Sequence, residues 1–181
     1  YARSDNGVID KNQKYEMLRK KSNLKECYIV RYADDFKIFC RKKSDAEKIF
    51  IATKDWLKQR LNLEISYEKS KIINLKKQYS DFLGFKMKAI RKGKKSNGKN
   101  KYAVESHMSD KAVRNVKKQS RQLAKRIEKP DNAREEYKAI NNYNAYVSGV
   151  HNYYQYATHI SKDMRIIAFG LNRTLKNRLK E

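Results

Sequence analysis

Three patterns of apolar and polar positions succeed one another along the chain. Residues 1–26 are polar and lysine-rich, with a short helical candidate from Lys11 to Lys21. From Cys27 the pattern changes: "CYIVRYADDFKIFC" is β-branched and aromatic on both sides of a polar break, as in two strands of a hairpin. With Ala33 and Asp34 as the central turn residues, pairing across a two-residue loop faces Tyr32 with Asp35, Arg31 with Phe36, Ile29 with Ile38 and Cys27 with Cys40. Counting outward from the turn, the two cysteines fall at a non-hydrogen-bonded position, where facing Cα atoms lie about 4.5 Å apart. Ser44 and Glu47 have capping-box spacing. Ala46, Ile49, Phe50, Thr53, Trp56, Leu57 and Leu61 follow at helical spacing, predicting a helix of about four turns laid on the sheet.

Further on, "LEISYEKSKIIN" reads as a short strand, a turn around Tyr67 to Ser70 and another strand. "YSDFLGFKMKAI" and "KYAVESHM" bracket "RKGKKSNGKN", whose glycines and Asn97 are turn chemistry, giving a second hairpin with a basic tip. After residue 108 the periodicity is helical throughout. Ala112, Val113, Val116, Ser120, Leu123, Ala124 and Ile127 mark one amphipathic helix, opposite a basic face of Arg114, Lys117, Lys118, Arg121 and Lys125, and Pro130 ends it. A long helix is expected from Ala133 to His159 with Tyr137, Ile140, Val147, Val150 and Tyr154 inward. A third starts near Ser161 on Met164, Ile167, Ala168, Leu171, Leu175 and Leu179. The fold class is α+β: an antiparallel sheet with a packed helix in residues 1–108, then an all-α three-helix bundle in 109–181.

Composition then narrows the partners. Across 181 residues, 44 Lys and Arg against 20 Asp and Glu give a formal charge of +24, while 39% of positions are apolar and 35% charged. Such a surface calls for a polyanion. No stretch approaches the roughly 20 apolar residues of a spanning helix, so nucleic acid fits better than membrane. The 13 tyrosines interleaved with cations suit stacking on unpaired bases beside phosphate contacts. Cys27 and Cys40 are too few for a disulfide framework. The polar opening, which begins without Met and carries no signal peptide, reads as the interior of a longer cytoplasmic protein.

Asp34 and Asp35 at the tip of a tight hairpin repel each other, and a cation must offset that repulsion. A hard divalent ion such as Mg²⁺ takes carboxylate oxygens together with substrate phosphates, and nucleotidyl transfer commonly uses two such ions. An Asp pair at a turn is also ordinary turn chemistry. The surrounding motifs add to it. "YADD" within "VRYADDFKIF" resembles the catalytic hairpin of reverse transcriptases, "YSDFLGF" resembles their hairpin near the primer terminus, and "LNLEISYEKSKI" stands between them where that family carries a loop with a lysine. The helical stretch "NNYNAYVSGVHNYYQYATHISKDMRIIAFGLNRTLKNRL" resembles the thumb, or domain X, of group II intron reverse transcriptase/maturases.

The resemblance implies that residues 1–108 are the C-terminal part of a polymerase palm and 109–181 a thumb. Asp34 and Asp35 would be metal ligands for Mg²⁺, with Asp34 the more critical. Tyr32 and Ala33 would line the place where template, primer end and nucleotide meet, and Lys69 would protonate pyrophosphate or be a solvated turn lysine. Phe82, Leu83, Gly84 and Phe85 would support the primer strand or be plain core. Lys92, Lys94, Lys95 and Lys99, in a run from Lys86 to Lys101 with eight basic and no acidic residues, would clamp phosphates or form a solvated tip, and the basic helix face would add to binding.

The implied partners are intron and template RNA, a DNA primer, deoxynucleoside triphosphates and an upstream fingers and palm portion. The family's third aspartate and its nucleotide-positioning segment would lie upstream, so the segment alone is expected to be inactive. A non-catalytic RNA-binding splicing cofactor, or a retron or CRISPR-associated reverse transcriptase, stays open. His151 and His159 lack cysteine or carboxylate at ligand spacing, which argues against zinc.

Overall fold

The structure, a computed structural model, describes residues 27–178. The helical candidate at Lys11 to Lys21 and the apolar position Leu179 lie outside the described residues. The chain divides into two compact units, Tyr1–Ile72 and Ile73–Glu181.

In the first unit β1 (Cys27–Tyr32) pairs antiparallel with β2 (Asp35–Cys40) in the register read from the sequence, from Tyr32 facing Asp35 out to Cys27 facing Cys40. α1 (Lys43–Leu61) packs against β2. Its half-buried positions Ala46, Ile49, Phe50, Thr53 and Leu57 are the expected stripe, but Trp56 and Leu61 stay exposed. The expected capping box does not form. The helix starts two residues earlier, with Lys42 as an N-cap that gives no side-chain bond, and Glu47 instead pairs with Lys43 at 3.3 Å. At the other end Asn62 turns left-handed (φ 51), and the amides of Asn62 and Leu63 close on the carbonyls of Lys58 and Leu57.

The two strands expected in "LEISYEKSKIIN" are absent. This stretch holds a turn over Tyr67–Lys69, where the amides of Lys69 and Ser70 both reach the Ser66 carbonyl. Alternating apolar residues make a strand only when another strand takes the backbone groups, and among the described residues none pairs with this stretch.

The second unit joins a sheet to a helical bundle. β3 (Ser80–Phe82), β4 (Phe85–Lys94) and β5 (Asn100–Met108) form an antiparallel meander in that order. Leu83 (φ 51) and Gly84 (φ 77) make the first turn, both with the positive φ that a tight two-residue loop demands. The β4–β5 ladder shifts register between Arg91 and Lys94, where Gly93 has φ 106.

Three helices follow: α2 (Asp110–Glu128), α3 (Ala133–Tyr154) and α4 (Ile160–Arg178). Ser109 caps α2 by accepting from the Ala112 amide at 3.2 Å, and Asn132 caps α3 by accepting from Glu135 at 3.0 Å. Met108, Val116, Ile167 and Leu171 are the buried centre, surrounded by Ala112, Val113, Tyr146, Val150, Tyr154, Ile160 and Met164.

The expected stripe of α2 is inward throughout. α3 departs from expectation in two ways. Tyr137 and Ile140 face solvent while Ala139 is buried, and the helix stops at Tyr154 instead of reaching His159. It stops because the next residues bond to β5: the Ser106 amide donates to Thr158 Oγ1 (2.8 Å), and the His159 amide donates to the Ser106 carbonyl (3.1 Å). In α4, Ala168 is exposed. The architecture is mixed α+β, with antiparallel sheets and four helices among the described residues. Helical periodicity begins after Met108 as expected, but the packing boundary lies earlier, because the β3–β5 sheet belongs to the same compact unit as the bundle.

Candidate functional site

Asp34 sits in the β1–β2 turn and Asp35 opens β2, and both side chains are exposed, as are Tyr32 and Ala33. Ala33 has φ 51, a conformation that costs a residue with a Cβ about 1–2 kcal/mol. Arg31 helps to hold it there, donating from Nε to the Ala33 carbonyl at 2.7 Å. A short, strained and tied turn thus presents two adjacent carboxylates to solvent. Their oxygens are hard donors suited to Mg²⁺, and they supply part of a donor set. Among the described residues no third Asp, Glu, His or Cys gathers with them. Lys69 lies exposed in the Tyr67–Lys69 turn and makes no ion pair with either aspartate.

Phe82, Leu83, Gly84 and Phe85 do form a hairpin, with Phe82 facing Phe85, and it is gripped from α3. Tyr153 Oη donates to the Leu83 carbonyl at 3.0 Å and stacks on Phe85 with ring centroids 5.6 Å apart. Tyr154 tilts against Phe85 at 5.1 Å. The Gly84 carbonyl accepts from the Ser109 amide at 2.7 Å, and a Cβ at Gly84 would lie 2.7 Å from Tyr154 Oη. The turn therefore joins sheet to bundle, and all four of its residues are half-buried.

The basic run from Lys86 to Lys101 splits in two. Lys86 is committed to Asp110 at 2.7 Å, and Lys88 lies over the Tyr79 ring. Lys92, Lys94, Lys95 and Lys99 are exposed around a tip shaped by backbone bonds, Lys95 N–H to Lys99 C=O (2.7 Å) and Gly98 N–H to Lys95 C=O (2.9 Å). On α2, Arg114, Lys118, Arg121 and Lys125 are exposed, while Lys117 is half-buried with its stem against Gly170 of α4.

A cluster that the sequence reading passed over lies between β5 and the start of α4. Glu105, His107 and His159 bring their side-chain donor atoms within 4.8 Å of one another, which overturns the spacing argument against a histidine site. Tyr79 donates to Glu105, so its phenol is pushed up to about 12, by that bond first and by desolvation second. The same bond, helped by His159 and His107, holds the Glu105 carboxyl below its usual range. One sequence signal was available: in a strand, Glu105 and His107 share a face. His159 arrives from fifty residues away and no spacing rule finds it.

The family model for reverse transcriptase (RNA-dependent DNA polymerase) matches residues 9–87, under half of the chain. The match takes in β1, β2, α1, β3 and the first residues of β4, and so both the "YADD" turn and the "FLGF" turn. No curated protein and no solved structure matches the chain. Among the described residues no helix is long and apolar enough to cross a membrane.

Proposed function

We propose that these residues serve an RNA-directed DNA polymerase of the group II intron type, which extends a DNA 3′ end on an RNA template. The observation that carries the reading is the "YADD" turn: two exposed carboxylates on a tied two-residue hairpin, inside the segment matched as reverse transcriptase. Residues up to 108 act as palm and the helices after them as thumb.

Asp34 and Asp35 would hold Mg²⁺ together with a carboxylate from elsewhere in the polymerase, and the metal would supply charge neutralisation for attack by a hydroxyl on phosphate. The chain's own contribution is position. The hairpin's backbone ladder fixes the carboxylates, and Tyr32 presents an exposed ring beside them for stacking on a base or sugar. The "FLGF" turn, locked by Tyr153 and Tyr154, offers a rigid edge to the primer strand. Lys69, exposed and unpaired among the described residues, is free to approach a departing pyrophosphate as a proton donor.

A second reading, an RNA-binding splicing cofactor of the maturase kind, is favoured by the exposed cations of the β4–β5 tip and of α2, which do not depend on the carboxylates. The two readings separate in one experiment on the natural polypeptide that carries these residues. Asp34→Asn removes charge without removing volume. It is expected to abolish DNA synthesis while leaving RNA affinity and splicing assistance nearly intact. Polymerisation near the wild-type rate would sink the metal assignment.

A further inference from the structure

The hydrogen bonds around the histidine cluster determine which of its nitrogens are free. His107 Nδ1 lies 2.9 Å from Oδ1 of Asp163, whose Oδ2 accepts from the Met108 amide at 2.8 Å. Asp163 is buried at 6% exposure. A carboxylate accepts, so Nδ1 of His107 is the donor in that bond, and in the neutral ring Nε2 presents a lone pair.

His159 is set the same way. Thr158 Oγ1 accepts from the Ser106 amide at 2.8 Å and directs its own hydroxyl at the Ser106 carbonyl, 3.3 Å away. Oγ1 also stands 3.1 Å from His159 Nδ1, so that nitrogen is engaged by Thr158 and Nε2 is the one left to the cluster. Both Nε2 atoms then turn to the same carboxylate, Glu105, at 3.6 Å from Oε1 and 3.9 Å from Oε2. These separations are beyond hydrogen-bond length.

Two imidazole nitrogens and a carboxylate whose one neutral hydrogen-bond donor among the described residues is the Tyr79 hydroxyl thus converge on one spot, where a cation could be bound by all three. Protonating both imidazoles would put like charges on rings stacked 4.9 Å apart. A single divalent ion avoids that conflict. Imidazole–carboxylate donors suit a first-row transition ion and not Mg²⁺, and two His with one Glu leave the fourth tetrahedral position to water, as Zn²⁺ accepts. Donor atoms on such an ion stand about 3.3 Å apart for bonds of about 2.0–2.1 Å, so closing from the present spacing needs only small side-chain movements. The buried carboxylate behind His107 is the orienting partner that metal-bound histidines usually have.

We propose that Glu105, His107 and His159 form a binding site for a Zn²⁺-type divalent ion, oriented by Asp163 and Thr158, that fastens strand β5 to the entry of α4. The site is structural, lies in the second compact unit and is separate from the carboxylates of the "YADD" turn. It does not depend on the polymerase reading.

The test is a Zn²⁺ titration of the 181-residue chain against a chromophoric chelator. Cys27→Ser and Cys40→Ser are introduced first, because two facing thiols can also take zinc. The expected result is one Zn²⁺ per chain, a rise in the thermal midpoint on binding, and visible bands of the Co²⁺ form without a thiolate charge-transfer band. His159→Gln, at a partly exposed ring, is expected to weaken binding by more than the roughly 10–100-fold that loss of an orienting partner costs. His151→Gln, outside the cluster, is expected to leave it unchanged. No stoichiometric uptake, uptake indifferent to His159→Gln, or equal loss in His151→Gln would each overturn the proposal.

Discussion

Gly84→Ala probes the joint between the "FLGF" turn and the bundle, and the structure allows its cost to be worked out in two parts. Gly84 has φ 77, so any L residue there pays about 1–2 kcal/mol in backbone strain. The new Cβ would also stand 2.7 Å from Tyr154 Oη, with the ring carbons Cε1 and Cζ at an ordinary 3.6 Å. Relieving that contact means moving a ring wedged against Phe85 and Tyr153 and packed on the Met108 core. Overpacking of this kind costs about 1–3 kcal/mol.

The single substitution should therefore destabilise the second unit by about 2–5 kcal/mol. Tyr154→Phe removes only the hydroxyl, which has no hydrogen-bond partner among the described residues, and in that background Gly84→Ala should cost the backbone part alone. The coupling between the two sites is then about 1–3 kcal/mol. Urea unfolding followed by far-UV circular dichroism reads it, since helices dominate the second unit. Trp56, the chain's one tryptophan, belongs to the first unit, and its fluorescence serves as an internal control. Equal cost of Gly84→Ala with and without the Tyr154 hydroxyl would refute the reasoning.

Replacing Lys92, Lys94, Lys95 and Lys99 with Gln should weaken RNA binding and flatten its salt dependence by up to about three units of log–log slope, at roughly 0.7–0.9 per phosphate contact; an unchanged slope in filter-binding titrations would make the β4–β5 tip mere solvated surface. Mild oxidation should join Cys27 to Cys40 within one chain, because the register faces them, but slowly near neutrality, since burial first and Cys27 second push the Cys40 thiol up; thiol counts and mass mapping that found only intermolecular disulfides would contradict the register. Burial raises the Tyr154 phenol above its ordinary 10.0, so the stability it contributes is complete below pH 10 and drains away as pH rises from there through the folded value. Tyr154→Phe should accordingly lose less of its urea midpoint between pH 9 and 11 than the wild type does, and equal losses would contradict the assignment.

The parts legible in the sequence were those governed by local rules. A two-residue loop dictates its pairing, so placing Ala33 and Asp34 in the turn was enough to set every partner from Tyr32–Asp35 to Cys27–Cys40. Pro130 ends a helical pattern by its own chemistry, and α2 turns every position its spacing marked toward the interior, buried or half-buried. Failures began where a neighbour decides. Ser44 and Glu47 have the letters of a capping box, but Lys42 had already begun the helix. Tyr137 and Ile140 continue the apolar spacing of α3, yet the face that meets the bundle there is the one bearing Ala139.

The candidate sites divide along the same line. The carboxylate pair is adjacent in sequence and therefore visible, whereas the partners proposed for it would come from elsewhere and leave no mark on residues 30–40. The histidine cluster is the reverse case. Glu105 and His107 alternate on β5, where a polar inward face is anomalous, but the third donor comes with His159, delivered because Thr158 and Ser106 exchange hydrogen bonds and stop α3 at Tyr154. The periodicity that extended α3 to His159 therefore hid the site. A helix running through those residues would have spent their backbone groups on itself, and the break that left them for β5 is what brings His159 alongside Glu105 and His107. A helix that ends short of its apolar pattern is thus itself a signal: the residues beyond the break have found partners elsewhere, and in this chain those partners are the ones gathered around Glu105.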